Sequence, residues 1–175
     1  MTRLKVCGLR DPANALAAAE AGADFLGFNF VPGARRRLAT EHARDIIGEY
    51  RRRRGNEGPR LVGLFADQAL DDVNHIVTYC GLDMAQLCGD ETPDYWEALG
   101  LPVIRQIRVR VDRPADTEAV RVADAVGQVA AGGHLAMLDR YDAGQQGGTG
   151  QTFDLSLLPI RRCRRSSAGR ARVRA

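Results

Sequence analysis

Cys7 and Asp139 are the side chains of this sequence whose types and positions best suit acid–base chemistry. They end the first and the sixth of six short apolar runs that predict buried β-strands. In parallel α/β folds reactive groups lie at the carboxyl ends of strands, so a thiol and a carboxylate there can act as general base and general acid. The same rule selects Arg36 and Gln86, and an arginine suits an anionic substrate. Taken alone, a strand-end cysteine is more often a packed small residue, and a strand-end aspartate is often a helix or turn cap.

The elements that must position these side chains follow a βα repeat. Near-continuous apolar runs indicate parallel strands covered on both faces, and Asp11 with Pro12 predicts the start of the first helix, as Thr40 does for the second. The spacing fits either a doubly wound sheet or part of a (β/α)₈ barrel, and the missing G-x-G-x-x-G after the first strand disfavours a dinucleotide-binding sheet. Predicted strands cover residues 3–7, 24–30, 60–65, 83–87, 102–109 and 134–139, and predicted helices 12–21, 41–51, 70–80, 92–99, 116–131 and a start at 154–158.

Composition points to a globular protein without metal or membrane chemistry. The 175 residues are 45% hydrophobic and 27% charged, with no apolar run near the ~20 residues of a membrane span and no secretory signal, which predicts a cytoplasmic protein. The four cysteines form no C-x-x-C pair, so no metal site is expected. The net charge of +3 comes from seven arginines within residues 159–175. Arg51–Arg54 is interpreted as a solvated helix end, and no nucleic-acid partner is expected.

Six segments, in order between residues 3 and 158, resemble the motifs of phosphoribosylanthranilate isomerases, single-domain enzymes of tryptophan biosynthesis. They are KVCGL at 5–9, AGADFLGFNF at 21–30, an arginine at 36, GLFAD at 63–67, QLCGDE at 86–91 and GGTGQTFD at 147–154. The resemblance implies an α/β fold of the TIM-barrel type, (β/α)₈, of which this sequence provides about six βα units.

The resemblance also implies a reaction and roles for individual residues. The reaction is the Amadori rearrangement of N-(5-phosphoribosyl)anthranilate to 1-(o-carboxyphenylamino)-1-deoxyribulose 5-phosphate, without cofactor or metal, in a monomer or homodimer. Asp139 would be the general acid and Cys7 the general base, and Arg36 would pair with the anthranilate carboxylate. The remaining residues expected to bind this phosphorylated aromatic substrate are Gln86, Gly147, Gly148, Thr149 and Gly150.

The sequence departs from the family pattern in three places. Cys88 stands where the family has histidine, and Ala34 where serine is usual. After Pro159 the sequence does not continue into a seventh and an eighth strand, whose loops usually bind phosphate in TIM barrels. The expectation is a partial barrel over 1–158 and an arginine-rich tail at 159–175, disordered or out of frame. The alternatives are an inactive fragment or pseudoenzyme lacking the phosphate loops, and, as a minor reading, a tail that binds RNA.

Overall fold

Parallel β-strands alternate with α-helices through residues 3–55 and 57–141, the part of the chain that the structure, a computed structural model, describes. The strands are β1 (Lys5–Cys7), β2 (Phe25–Asn29), β3 (Arg60–Phe65), β4 (Met84–Leu87), β5 (Val103–Val109) and β6 (Leu135–Arg140). The helices are α1 (Pro12–Glu20), α2 (Thr40–Arg54), α3 (Leu70–Cys80), α4 (Pro93–Ala98) and α5 (Ala115–Ala131). This order confirms the predicted βα repeat. The chain divides into two compact units, Arg3–Val103 and a second unit whose described main part is residues 104–141.

The first unit is built on a parallel sheet in the order β1, β2, β3, β4. Its register places Cys7 beside Gly27 and Gly27 beside Val62. Consecutive strand residues point to opposite faces, and Leu61 and Val62 are both fully buried, so both faces of the sheet are covered. Such double coverage is what the near-continuous apolar runs predict.

Two aspartates fix neighbouring strands of this sheet at their amino ends. Asp24, just before β2, accepts a hydrogen bond from Leu4 N at 2.6 Å, and its own N–H donates to the Leu4 carbonyl oxygen at 2.8 Å. Asp83, just before β4, repeats both bonds with Leu61 of β3 at 2.7 and 2.8 Å. Because each aspartate bonds the backbone of the neighbouring strand, it helps to hold the register of the strands that carry the site.

The second unit contains β5 from Ile104 onward, α5 and β6. β5 and β6 run parallel with Arg108 beside Asp139. Glu118 of α5 is buried; it accepts a hydrogen bond from Arg110 N at 2.8 Å and is paired with Arg121. The hydrogen-bonded Arg121 guanidinium lowers the pKa of Glu118 below its ordinary value. This contact ties the end of β5 to α5.

The predicted boundaries need correction at α2. Thr40 is not its N-cap, because the capping position is Ala39, whose backbone is extended and which makes no side-chain cap bond. The helix also continues beyond the predicted end, residue 51, to Arg54. The extra turn is supported by Arg51, which pairs with Asp83 at 2.9 Å, and by Arg53, which pairs with Glu49 at 2.6 Å. At α1 the prediction is confirmed, since Asp11 accepts from the backbone N–H two residues after Pro12.

Several expectations concern residues outside the described part of the chain. These are the helix start at 154–158, the glycine-rich segment at 147–150 and the tail at 159–175. Within residues 3–55 and 57–141, no helix is long and apolar enough to cross a membrane. In the same ranges, no cluster of three or more histidine, cysteine or acidic side chains is arranged to hold a metal ion.

Candidate active site

Cys7 lies at the carboxyl end of β1, and its side chain is half-buried. The next residue, Gly8, has φ of +76°, a conformation that glycine adopts without strain. Gly8 N and Leu9 N both donate to the Gly27 carbonyl oxygen, at 2.9 and 3.1 Å. The chain therefore turns immediately after Cys7 and leaves its thiol at the end of the strand.

The side chain of Arg36 lies across this turn. Its Nη1 donates to the Cys7 carbonyl oxygen at 3.2 Å, and a Cβ atom on Gly8 would stand 2.8 Å from the guanidinium carbon. The loop that carries Arg36 returns along β2, because Leu38 N donates to the Asn29 carbonyl oxygen at 2.7 Å. The structure thus brings the predicted base and the predicted carboxylate-binding arginine together, and their roles stay predictions.

Lys5 shares a strand face with Cys7, since the two residues are two positions apart on β1. Its Nζ donates to Cys7 Sγ at 3.2 Å. A Cβ on Gly27 of the neighbouring strand would stand 2.9 Å from Cys7 Sγ and 3.1 Å from Lys5 Nζ. The absence of a side chain at Gly27 leaves room for this pair.

Gln86, the predicted substrate-binding residue of β4, is only 4% exposed. Its Nε2 donates to Cys88 Sγ at 3.3 Å, and its Oε1 is buried with no hydrogen-bond partner among the described residues. Burial raises the pKa of the Cys88 thiol to about 11, and the charges of Lys5 and Cys7 also act on that thiol. The β4 pair is therefore packed inside rather than open to solvent.

Hydrogen bonds through Asp67 join the segments that follow β3 and β4. Asp67 has φ of 54°, unusual for a residue other than glycine. Its side chain accepts from Asp90 N at 2.5 Å, and its own N–H donates to Glu91 Oε1 at 2.9 Å. A Cβ on Gly89 would collide with the Asp67 carboxylate. These contacts explain the glycine of the QLCGDE segment and fix the backbone that follows Gln86.

Asp139 lies on β6 in the second unit and is held by two donors. Gln106 Nε2 donates to its Oδ2 at 2.5 Å, and Arg140 N donates to its Oδ1 at 2.9 Å. Gln106 is 5% exposed, and its Oε1 is buried with no partner among the described residues. The carboxylate thus has a fixed orientation at the carboxyl end of its strand. The other predicted binding residues, Gly147, Gly148, Thr149 and Gly150, lie outside the described residues.

The family model for N-(5'-phosphoribosyl)anthranilate isomerase matches residues 4–168 of this chain. The chain belongs to that family. A curated N-(5'-phosphoribosyl)anthranilate isomerase of Pseudomonas putida is 40% identical over 159 residues, which are 91% of this chain and 71% of that protein. One from Dehalococcoides mccartyi is 35% identical over 158 residues, with 90% and 70% of the two chains covered.

Solved structures agree with this family. Phosphoribosyl anthranilate isomerase from Thermotoga maritima matches with a TM-score of 0.70 and 28% identity, covering 90% of this chain and 70% of that one. A second isomerase structure, in complex with reduced 1-(o-carboxyphenylamino)-1-deoxyribulose 5-phosphate, matches with a TM-score of 0.65 and 25% identity, covering 81% and 66%. The predicted fold class, α/β of the type shared by these isomerases, is confirmed.

Sequence reasoning missed two side chains that touch the candidate acid–base residues. Lys5 was recognised only as part of a motif, although its spacing of two from Cys7 signals a shared strand face. Gln106 gave no motif signal; it lies between Arg105 and Ile107 in β5, and it is buried whereas Arg105 is only partly so. In a strand covered on both faces, such a residue must find a hydrogen-bonding partner.

An alkylating reagent applied near neutral pH is expected to modify Cys7 at least about tenfold faster than Cys80 or Cys88. Burial raises the pKa of each of the latter thiols to about 11, so only a very small fraction is thiolate at that pH. Cys7 is more exposed than either. Peptide mass spectrometry over a time course, in a Cys163→Ser background, measures the three rates. Faster labelling of Cys88 than of Cys7 in folded protein would contradict this expectation.

Proposed function

We propose that this chain isomerises N-(5'-phosphoribosyl)anthranilate by an Amadori rearrangement, as its relatives' names state for them. The observation that carries the proposal is the β1 terminus, where Cys7 ends the strand and Arg36 lies against the following glycine, in a member of this family. The proposed substrate is a phosphorylated aromatic amine in the cytoplasm. The matching structure with a reduced product analogue supports this substrate class.

The proposed chemistry uses one acid and one base on the same substrate molecule. Asp139 gives its proton to the ribose ring oxygen, the C1–O bond breaks, and the nitrogen lone pair forms an iminium ion. The Cys7 thiolate then takes the C2 proton, and the C–H electron pair forms the C1–C2 double bond while the iminium electrons return to nitrogen. The resulting enolamine tautomerises to the ketone. The substrate's own nitrogen accepts the electrons, so the reaction needs no cofactor.

Arg36 is the proposed partner of the anthranilate carboxylate. An arginine fork matches a carboxylate with two parallel hydrogen bonds. The guanidinium is exposed and lies 29 positions from Cys7 in sequence but directly beside it in space. This placement sets the aromatic acid next to the base, which would hold the ribose C2 close to the thiol.

Gly8→Ala is expected to weaken substrate binding about tenfold by displacing Arg36. The new Cβ would stand 2.8 Å from the guanidinium, and the flexible arginine would move away. Gly22→Ala is the matched control, because Gly22 also has a positive φ, +85°, but has open space around its Cβ position. Both variants should lose about 1 kcal/mol of stability in urea unfolding. An unchanged KM for the isomerase substrate in Gly8→Ala, measured in the extended chain defined below, would exclude the displacement of Arg36.

A second candidate function is ligand binding without turnover. The observation that favours it is coverage, since the chain spans 71% of the length of the Pseudomonas putida relative. If segments of the relative outside the match contribute to its site, residues 1–175 tested alone would bind ligand without turning it over. Binding energy from groups remote from the reacting atoms is needed for turnover as well as affinity.

The test compares two polypeptides in the isomerase assay. One is residues 1–175. The other, here called the extended chain, is residues 1–158 followed by the remaining carboxyl-terminal segment of the Pseudomonas putida relative. The extended chain is expected to turn over substrate, and residues 1–175 to do so at least about 100-fold more slowly. Growth of a tryptophan auxotroph lacking the isomerase reports the same difference. An extended chain that folds but neither turns over substrate nor restores growth would refute the proposed function.

The oligomeric state is proposed as monomer or homodimer. One matching structure, with a TM-score of 0.65 and 25% identity, is described as a monomer generated from a dimeric Thermotoga maritima isomerase. Sedimentation of the extended chain at several concentrations distinguishes the two states.

A further inference from the structure

Lys5 is the only lysine of the chain; the other 24 basic residues are arginines. This single ammonium group lies against the sulfur of the proposed base, with Nζ 3.2 Å from Cys7 Sγ. Because all of the remaining basic positions are arginine, the lysine at position 5 calls for a physical reason.

The space around the pair provides that reason. Cys7 lies beside Gly27 in the sheet register, and a Cβ there would be 2.9 Å from the sulfur and 3.1 Å from the ammonium. The two groups therefore meet directly over the Gly27 backbone. An ammonium is a compact point charge on a flexible stem, whereas a guanidinium is planar and larger. A lysine suits this confined place better than an arginine.

We infer that Lys5 is a positioning residue for the proposed base, and that its ammonium stabilises the Cys7 thiolate and holds it over Gly27. A thiolate, not a thiol, is the reactive form of cysteine, and an adjacent cation favours the charged form. When the thiolate takes the C2 proton, a new S–H bond forms while Lys5 keeps its own protons. That the proton comes from C2 of the substrate rests on the proposed function. The contact between Lys5 and Cys7 is independent of it.

The other groups near Cys7 in its unit act on it less directly. Arg36 reaches the Cys7 carbonyl oxygen rather than the sulfur. Cys88 carries a thiol whose pKa burial raises to about 11, so it stays neutral near pH 7. Among these neighbours, Lys5 is the cation with a hydrogen bond to the sulfur.

The test is the rate at which iodoacetamide modifies Cys7 in residues 1–175, with peptide mass spectrometry to locate the product. Lys5→Met keeps the length of the side chain and removes the charge. It is expected to lower the Cys7 rate about fivefold near pH 7 and less than about twofold near pH 10, which is above the ordinary pKa of a free cysteine, about 8.5. Arg10→Met is the matched control: it removes an exposed positive charge three positions from Cys7 and should leave both rates unchanged.

Two results would overturn the inference. One is an equal Cys7 rate in Lys5→Met and the parent chain near pH 7. The other is the same deficit at both pH values, which would indicate altered access rather than altered thiolate content. Lys5→Gln is a second variant, and circular dichroism checks the folding of both.

Chemical modification of the parent protein gives the same answer without a folding risk. Acetylation of the single lysine removes its charge, whereas reductive methylation keeps it. The amino terminus reacts in both cases and its charge changes as that of Lys5 does, so Lys5→Met protein treated with the same two reagents is the control. The acetylated protein should show the slower Cys7 labelling and the methylated protein should not; equal labelling of the two would overturn the inference.

Turnover separates this inference from the proposed function. In the extended chain, Lys5→Met should lower kcat about fivefold to tenfold with little change in KM, because it acts on the base rather than on substrate binding. An extended chain without isomerase activity would refute the proposed function, while the labelling rates would still decide the role of Lys5. A changed KM with an unchanged kcat in an active extended chain would contradict the positioning role.

Discussion

Cys7→Ala in the extended chain is expected to lower kcat by about a thousandfold. A positioned general base contributes about 10² to 10⁴ in rate, and alanine offers no group that can take the C2 proton. The fold should tolerate the change, because the Cys7 side chain is only half-buried and ends a strand. The measurement is kcat and KM for isomerisation, with urea unfolding to follow stability.

Cys80→Ala is the control for this substitution. Cys80 is a buried thiol at the end of α3 whose Sγ donates to the Thr40 carbonyl oxygen at 3.5 Å. Its loss is expected to reduce stability by about 1 kcal/mol and leave kcat unchanged. Turnover by folded Cys7→Ala within tenfold of the parent would remove Cys7 from the role of base.

Local sequence signals were sufficient for the order of elements. The apolar run at 60–65 and the helical stretch at 70–80 predicted β3 and α3 with the boundaries that the structure shows, because nearby residues set each of them. In the structure the C-cap of α3 is Gly81, which has the left-handed conformation. The cap at Asp11 was predicted for the same reason, since its partner Asn14 is three residues away.

Contacts between distant segments explain what the sequence did not reveal. The last turn of α2 has no apolar signal, and one of its arginines is held by Asp83, 32 positions away. The space over Gly27 becomes visible only when the register of β1 and β2 is known. The strand-end rule and family motifs selected Cys7, Arg36 and Asp139, but no local pattern connects Gln106 with a carboxylate 33 positions later.

Asp139→Asn in the extended chain is expected to lower kcat by about a thousandfold with little loss of stability. The amide has the size of the carboxylate but cannot give a proton to the ribose ring oxygen, and general acids contribute about 10² to 10⁴ in rate. Arg140 N can still donate to the side-chain oxygen, as it does at 2.9 Å to Oδ1. The assay is kcat against KM, together with the free energy of unfolding.

Gln106 explains why this exchange should leave the fold intact. In the structure its Nε2 donates to Asp139 Oδ2, while its buried Oε1 has no partner among the described residues. A half-turn of the Gln106 amide would present that oxygen to the new amide N–H₂, so the buried pair keeps a hydrogen bond. Gln106→Leu removes this buried partner and should reduce the stability of the Asp139→Asn protein by about 1 to 3 kcal/mol. A folded Asp139→Asn protein with kcat within tenfold of the parent would assign the general acid to another residue, since an amide is not acidic enough to give a proton near neutral pH.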